Sequence, residues 1–398
     1  MGRLTVAFGA AVAGVLLAGT APPPPATTPF STTLPPYVQA YEPTTVDERG
    51  LWMEADEQER TLRDSALVMH EDDLNRYVKG VLCKAVGQER CRSVRVYVLE
   101  VPQFNASMSP NGTMRVWSGL LLRVQNEAEL AAILGHEFAH FELRHGLRAF
   151  KQARSSTDVA AWVGLLGAAA GVSPAALQMS VIGGIYRFSR DQEAAADMLS
   201  LGYMANSPYP NAAAADVWRY VMGEDDARSI SRGLKPKQAY SSGFFDTHPA
   251  SLARATYLQE EAMRQPHPGD YGAKAYRDAM RPYLARFLAA QVKANDFGGS
   301  EYLLQKMSGV EGWTGDLLFA RGQLYRSRGN PRDLATASQF FREAITQGYA
   351  EPVVYRELGL SLMRNGEQAD GRTALQEYLT RSPDASDRGM INALVATK

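Results

Sequence analysis

Residues 126–146 read NEAELAAILGHEFAHFELRHG, and the reading of this stretch decides the fold. Asn126, followed three residues later by Glu129, is a capping-box-like helix start, and Gly146 is a stop signal. Between them Leu130, Ile133, Leu134, Phe138 and Phe141 recur at helical spacing and form one apolar stripe. Glu137 falls within that sector, and His136 and His140 lie at its edge. Histidines four apart on a helix project from one face, so their nitrogens can converge on one metal ion. A carboxylate turned toward a core is costly unless it is paired or used. The spacing therefore predicts a metal site at the border of core and cleft, with Glu137 beside it as a candidate base.

A catalytic metal needs a third protein ligand and an open position for water. His145 lies five residues after His140 and points away from the His136/His140 face of a continued helix. Residues 190–197, RDQEAAAD, offer more. Glu193 and Asp197 are four apart and share a face among alanines that permit close packing. Glu193 could reach the metal, and Asp197 could accept a hydrogen bond from a ligand histidine and fix its ring. Read alone, the same pattern also fits a solvated acidic face.

Outward from the helix, Ser93 to Val101 alternates as a strand, and Phe104–Met108 and Thr113–Trp117 flank the hairpin turn Asn111-Gly112. Helical periodicity fills Val46–Met69, Glu71–Val86, about Arg190–Tyr203, Asn211–Met222 and Pro249–Met263, with a long loop over 223–248. Within that loop Arg228–Lys237 reads as solvated. Asp158–Tyr186 is nearly uncharged but interrupted at Gly171–Pro174. Each half is shorter than a bilayer span, so membrane contact is not required. In the tail a shift of 37 residues matches Gly322 with Gly359, Gly329 with Gly366, Ala337 with Ala374 and Phe341 with Tyr378. Together with Tyr355-x-x-Leu358-Gly359 this resembles the tetratricopeptide pattern.

Residues 1–21 have the form of a signal peptide or N-terminal anchor. Residues 22–45 are a Pro/Thr-rich stretch, expected to be an extended linker that buries no core. Cys83 and Cys91 are the only cysteines. Behind an export signal they are expected to form a disulfide. The net charge of −1 gives no electrostatic footprint for nucleic acid.

His136-Glu137-x-x-His140, Arg144-His145 and Glu193-x-x-x-Asp197 together resemble the M48 family of zinc metallopeptidases. So do Asn105-Ala106, Val116–Leu121 and Thr247-His248-Pro249 with Arg254. The resemblance implies an α+β zincin-like protease domain, mostly helical with a small sheet, over 46–268. An all-α tetratricopeptide-like helical repeat region follows over 273–398. It implies one Zn²⁺ per chain on His136, His140 and Glu193, Asp197 orienting a ligand, and His248 and Arg254 near the cleft. Glu137 is then the general base, with His248 and, after it, Arg254 as stabilisers of the oxyanion. Asn105 and Ala106 would guide a peptide or protein substrate bound as an added strand. The location expected is exported and periplasmic, with an envelope protein partner on the repeats. The rival reading is a catalytically weak zinc protein acting as a chaperone-like scaffold.

Overall fold

The computed structural model describes residues 29–37, 39–155, 188–236, 248 and 252–396. The export segment 1–21 and the apolar stretch 158–186 lie outside the described residues. No helix among those described is long and apolar enough to cross a membrane.

A capping box at Thr45 opens helix α1 (Val46–Arg63), Thr45 and Glu48 each accepting the other's backbone N–H. Helix α2 (Asp72–Val86) buries Leu74, Val78, Val81 and Leu82. It stops at Gly87, whose φ of 92° suits glycine best. Helix α3 (Gln88–Cys91) follows, and a Cys83–Cys91 disulfide ties it to α2. Strands β1 (Arg95–Leu99), β2 (Ala106–Met108) and β3 (Thr113–Trp117) form a sheet ordered β1-β3-β2. β1 runs parallel to β3 and β2 antiparallel. The β2–β3 turn works as its sequence implies, with Gly112 at φ 89° and its N–H donated to Ser109. Glu59 of α1 docks on this sheet, accepting from Arg95, Tyr97 and Thr113.

Helices α4 (Ser118–Arg123) and α5 (Glu127–Glu142) come next. Asn126 caps α5, accepting from Glu129 N at 2.8 Å. The helix ends four residues before Gly146, contrary to the sequence reading. Arg144 adopts φ 57° and turns the chain, and helix α6 (His145–Ser155) sets off in a new direction with Gly146 inside it. Helix α7 (Arg190–Ala205) packs on α5. A Cβ on Gly135 would lie 3.2 Å from Ser200 Oγ, and that hydroxyl donates to Ala132 O. Helices α8 (Ala213–Ser231) and α9 (Leu252–Arg264) complete the protease region. Arg228 belongs to the last turns of α8, where it pairs with Asp225 at 2.7 Å and Asp296 at 2.6 Å. The expected loop therefore begins only after Ser231.

Two boundaries differ from expectation. Residues 29–45 lack regular structure but are docked. Phe30 is 3% exposed in the main core, Arg90 donates to Pro35 O, and Asn206 donates to Thr32 O. Aromatic side chains within the Pro/Thr composition supply the apolar surface that the composition as a whole lacks. The main core also runs through the expected break at 268–273. Helices α10 (Ala273–Lys293) and α11 (Phe297–Glu311) contribute Tyr276, Met280, Phe287, Leu288, Leu303 and Leu304 to the cluster that holds Leu130 and Ile133. Arg123 of α4 is locked against Glu224 and Gln291, both buried.

Beyond them lie α12 (Gly315–Arg328), α13 (Asp333–Thr346), α14 (Val353–Arg364), α15 (Gln368–Arg381) and α16 (Arg388–Ala396). α12–α13 and α14–α15 are successive hairpins. Gly329 and Gly366, both at positive φ, end the first helix of each. A Cβ on Gly322 would come within 2.5 Å of the Phe341 ring, and one on Gly359 within 2.6 Å of Leu375 Cγ. The small residue recurs at the crossing in both hairpins, but its partner changes from Phe341 to Leu375.

Candidate metal centre

The site is built where α5 meets α7. His136, Glu137 and His140 project from α5, Glu193 and Asp197 from α7, and Arg254 from α9. His248 arrives from the segment before α9. Each of these residues is at most 4% exposed. The two histidines of α5 are thus buried outright, not set at the rim as the helical wheel suggests.

One donor atom each from His136, His140, Glu193 and His248 fall within 4.8 Å of one another. His136 Nε2 is 3.0 Å from His140 Nε2 and 3.3 Å from His248 Nδ1, which is 2.9 Å from Glu193 Oε1. The outward nitrogens are engaged. His136 Nδ1 lies 3.0 Å from Asp197 Oδ1, and His140 Nδ1 lies 2.9 Å from His145 Nδ1. When those outward bonds use the Nδ1 protons, two Nε2 lone pairs face each other at contact distance. Such a pair requires a positive charge between its members. A proton is one such charge, and His136 is pushed up to about 9. Burial works against that rise, and Asp197 and Glu193 override it. A divalent metal with borderline-soft character, bound by imidazole and carboxylate, supplies it better and releases the proton. The donor set therefore fits zinc.

The charges around the cluster are arranged by function. Burial alone would raise Glu193, but His248 and Arg254 beside it hold its carboxyl well below the usual range. Asp197 is likewise lowered against burial, by Arg254 and His136. Glu137 is the exception, and burial pushes its carboxyl up. Its Oε1 makes no hydrogen bond among the described residues, and His248 Nε2 is 3.4 Å away. A buried acceptor with raised basicity, aimed at the cluster, is what proton abstraction from water requires.

Arg254 is placed differently from its expected role. Its Nε and Nη2 bracket Asp197 at 2.7 Å each, its Nη1 lies 2.6 Å from Glu193, and its plane rests on Trp218 at 4.2 Å. A guanidinium so committed anchors the two carboxylates of α7 and has little left for an oxyanion. Tyr257 also donates to Asp197. His248 sits among the metal donors themselves, closer in than an oxyanion donor needs to be. Asn105 and Ala106 lie on the edge of the sheet. Asn105 O accepts from Trp117 N, and among the described residues β2 pairs only with β3, leaving its other side unpaired.

The sequence reading set His145 aside as a ligand because it points away along a continued helix. The reversal at Arg144 brings it back against His140, and no residue preference signals a non-glycine residue at positive φ there. Phe188, stacked on the His140 ring at 3.9 Å, was also unforeseen.

Fold and site together define a helical metallopeptidase domain of the His-Glu-x-x-His type. Over residues 69–262 the chain matches the sequence model of peptidase family M48. Enzymes of this family are zinc-dependent. The chain is 27% identical to the beta-barrel assembly-enhancing protease of Yersinia pestis over 52% of this chain and 43% of that one. It is 29% identical to the metalloprotease LoiP of Escherichia coli strain K12, over 39% of this chain and 58% of that one. It is 28% identical to the mitochondrial metalloendopeptidase OMA1 of Schizosaccharomyces pombe, over 46% and 52%. The chain spans about half the length of the curated relatives it matches.

Proposed function

We propose that the chain is a zinc endopeptidase that hydrolyses unfolded or misassembled proteins of the cell envelope. The observation that carries this is the buried cluster of His136, His140, Glu193 and His248 with the uncommitted Glu137 oxygen at its side. His136, His140 and Glu193 would hold the metal, which supplies Lewis acidity and a lowered water pKa when bound. Glu137 takes the proton of the attacking water and passes it to the leaving amine. Asp197 fixes the His136 ring, and Arg254 fixes Asp197 and Glu193. The peptide lies as an added strand on the free edge of β2, beside Asn105 and Ala106, a mode suited to unfolded segments. The envelope assignment rests on the relatives: one is named for β-barrel assembly. The α12–α15 hairpins are read as tetratricopeptide-like repeats that recruit substrate or an envelope partner, and 1–21 as the export segment.

A second reading is carried by His248. If all four residues held the metal, no position would be left for water. In that reading the enzyme is latent until His248 moves aside. The test of the function is casein cleavage by protein of measured zinc content, with and without a chelator. Cleavage that stops on chelation and returns with zinc is expected. Protein that carries no zinc and cuts nothing sinks the proposal in favour of a scaffold role for the repeats.

A further inference from the structure

A cavity of about 420 Å³ lies at the junction of the protease region and the tail, and the mechanism does not use it. That volume is within the range of natural ligand sites. One side is built from α4, α10 and α11, the other from the start of α12 and the turn between α13 and α14. Leu122, Met280, Phe287 and Leu317 give it an apolar floor, and all four are buried. Met307 and Val310 of α11 border it as well, and Val310 is 49% exposed, a large apolar side chain left in solvent.

The charged groups of the lining are unevenly matched. Arg277 is bound to Glu311 at 2.6 Å, and Arg281 to Asp278 at 3.3 Å. Asp316 and Glu351, the other two charged residues of the lining, make no ion pair among the described residues. A carboxylate in the first turn of a helix suits the helix dipole. Yet burial and Glu351 push the Asp316 carboxyl up, and its backbone hydrogen bond and Arg281 offset them only in part. Both carboxylates flank Tyr349: burial first, then Asp316 and Glu351, hold its hydroxyl up at about 12. The wall that carries them is fixed. Gly348 turns the chain at φ 81°, and Tyr349 stacks on Phe319 with ring centroids 4.6 Å apart. A Cβ on Gly315 would lie 2.9 Å from Tyr349 Cβ. A preformed apolar cavity thus carries two neighbouring carboxylates on one wall, while its own cations are committed elsewhere.

We propose that this cavity docks an extended segment of another protein in which a large apolar residue and a lysine or arginine stand two residues apart. In an extended chain that spacing puts both side chains on one face. The apolar side chain fills the floor, and the cation lies against Asp316 and Glu351. The inference rests on the recruiting role read for the tail, and it gives that role a place and a sequence preference. Complementarity sets the occupant. The floor gains by taking an apolar side chain out of water. A cation relieves the repulsion between the two carboxylates, whereas an acidic side chain or an anionic headgroup would add to it.

The test uses the full chain carrying Glu137→Gln, so that peptides are held and not cut. Fluorescein-labelled Gly/Ser peptides with a central Phe-Gly-Lys, Ala-Gly-Lys or Phe-Gly-Glu are titrated by anisotropy. The first should bind at least about tenfold more tightly than either of the others, as burying one aromatic ring and reversing one charge imply. Asp316→Lys combined with Glu351→Lys should reverse the order of the Phe-Gly-Lys and Phe-Gly-Glu peptides, a change that loss of structure does not produce. Equal affinity for the three peptides overturns the site, and so does a preference that the double variant keeps. Benzoylphenylalanine in place of the Phe then maps the contact by photo-crosslinking and mass spectrometry. Crosslinks to α10 and α12 are expected. Crosslinks confined to α14–α16 overturn this cavity and leave the recruiting role of the tail standing, whereas crosslinks that avoid the tail altogether refute both. Dimers in sedimentation that the double variant breaks, with no peptide preference, would instead assign this face to a second copy of the chain.

Discussion

The α5–α7 and α14–α15 helix pairs each cross closely through a glycine, and they bury opposite things. In α5–α7 Gly135 lets the helices approach, and the contact encloses His136, His140, Glu193 and Asp197. In α14–α15 Gly359 does the same, and the contact encloses Leu358, Leu362, Ala374 and Leu375. The second arrangement stabilises by area removed from water. The first carries a large desolvation cost that ion pairing offsets only in part. A fold keeps such a pair when the charges have a use. The difference separates a crossing that exists for chemistry from one that exists for shape.

The largest expected effect tests the first pair directly. Glu137→Gln should lower peptide hydrolysis by about 10² to 10⁴, the usual contribution of a positioned general base. Bound zinc, measured by atomic emission, should stay at the wild-type level. Parallel loss of zinc and activity would make Glu137 part of the metal shell. Glu193→Ala should lose the metal, while Asp197→Ala should weaken zinc affinity roughly ten- to a hundredfold, as lost support of a ligand does. Competition against a chromophoric chelator reads both. If Glu193→Ala keeps full affinity, the third-ligand assignment is wrong.

His248→Ala distinguishes the two roles left to that residue. A donor that closes the shell should, when removed, raise hydrolysis of a short peptide several-fold. An oxyanion stabiliser should, when removed, lower kcat by about 10² or more. Zinc should remain bound in either case, because three ligands suffice to hold a catalytic metal.

The sequence made the first pair legible because its information is local. Two i,i+4 patterns, His136/His140 and Glu193/Asp197, name the facing surfaces, and only the meeting of the helices had to be inferred. What stayed hidden depends on the path of the chain. His145 points away from the site along a continued helix, and it reaches His140 only because Arg144 turns the backbone. The Pro/Thr segment reads as a free linker by composition, yet Phe30 sits in the main core and Tyr37 and Tyr41 lie under Arg90 and Arg144, far along the chain. The break expected near 270 failed for the same reason. α10 has the polar outer face of a tail helix, but Tyr276, Met280, Phe287 and Leu288 fill the core under α5. The 37-residue repeat is recoverable for the second pair, down to its glycine stops, because hairpins repeat what they need locally.

The smallest expected effect on chemistry comes from breaking the second pair. Gly359→Val places a branched side chain where even a Cβ would sit 2.6 Å from Leu375 Cγ and 2.9 Å from Gly371 O. The backbone at Gly371 cannot move without opening the hairpin, so overpacking should cost about 1–3 kcal/mol. That strain falls in a part of the core distinct from the one around α5, since Leu358 and Ala374 cluster with Phe341 and Val354 and not with Leu130. Hydrogen exchange should therefore rise in α14–α16 and stay protected in α5 and α7. Hydrolysis of a short peptide should change less than about twofold, which amounts to less than 0.5 kcal/mol in the barrier. Cleavage of an unfolded envelope protein should fall if the hairpins recruit it. A tenfold loss of short-peptide hydrolysis, with zinc retained and α5 still protected, would mean that the tail hairpins help shape the catalytic cleft. The division between a crossing for chemistry and a crossing for shape would then no longer hold.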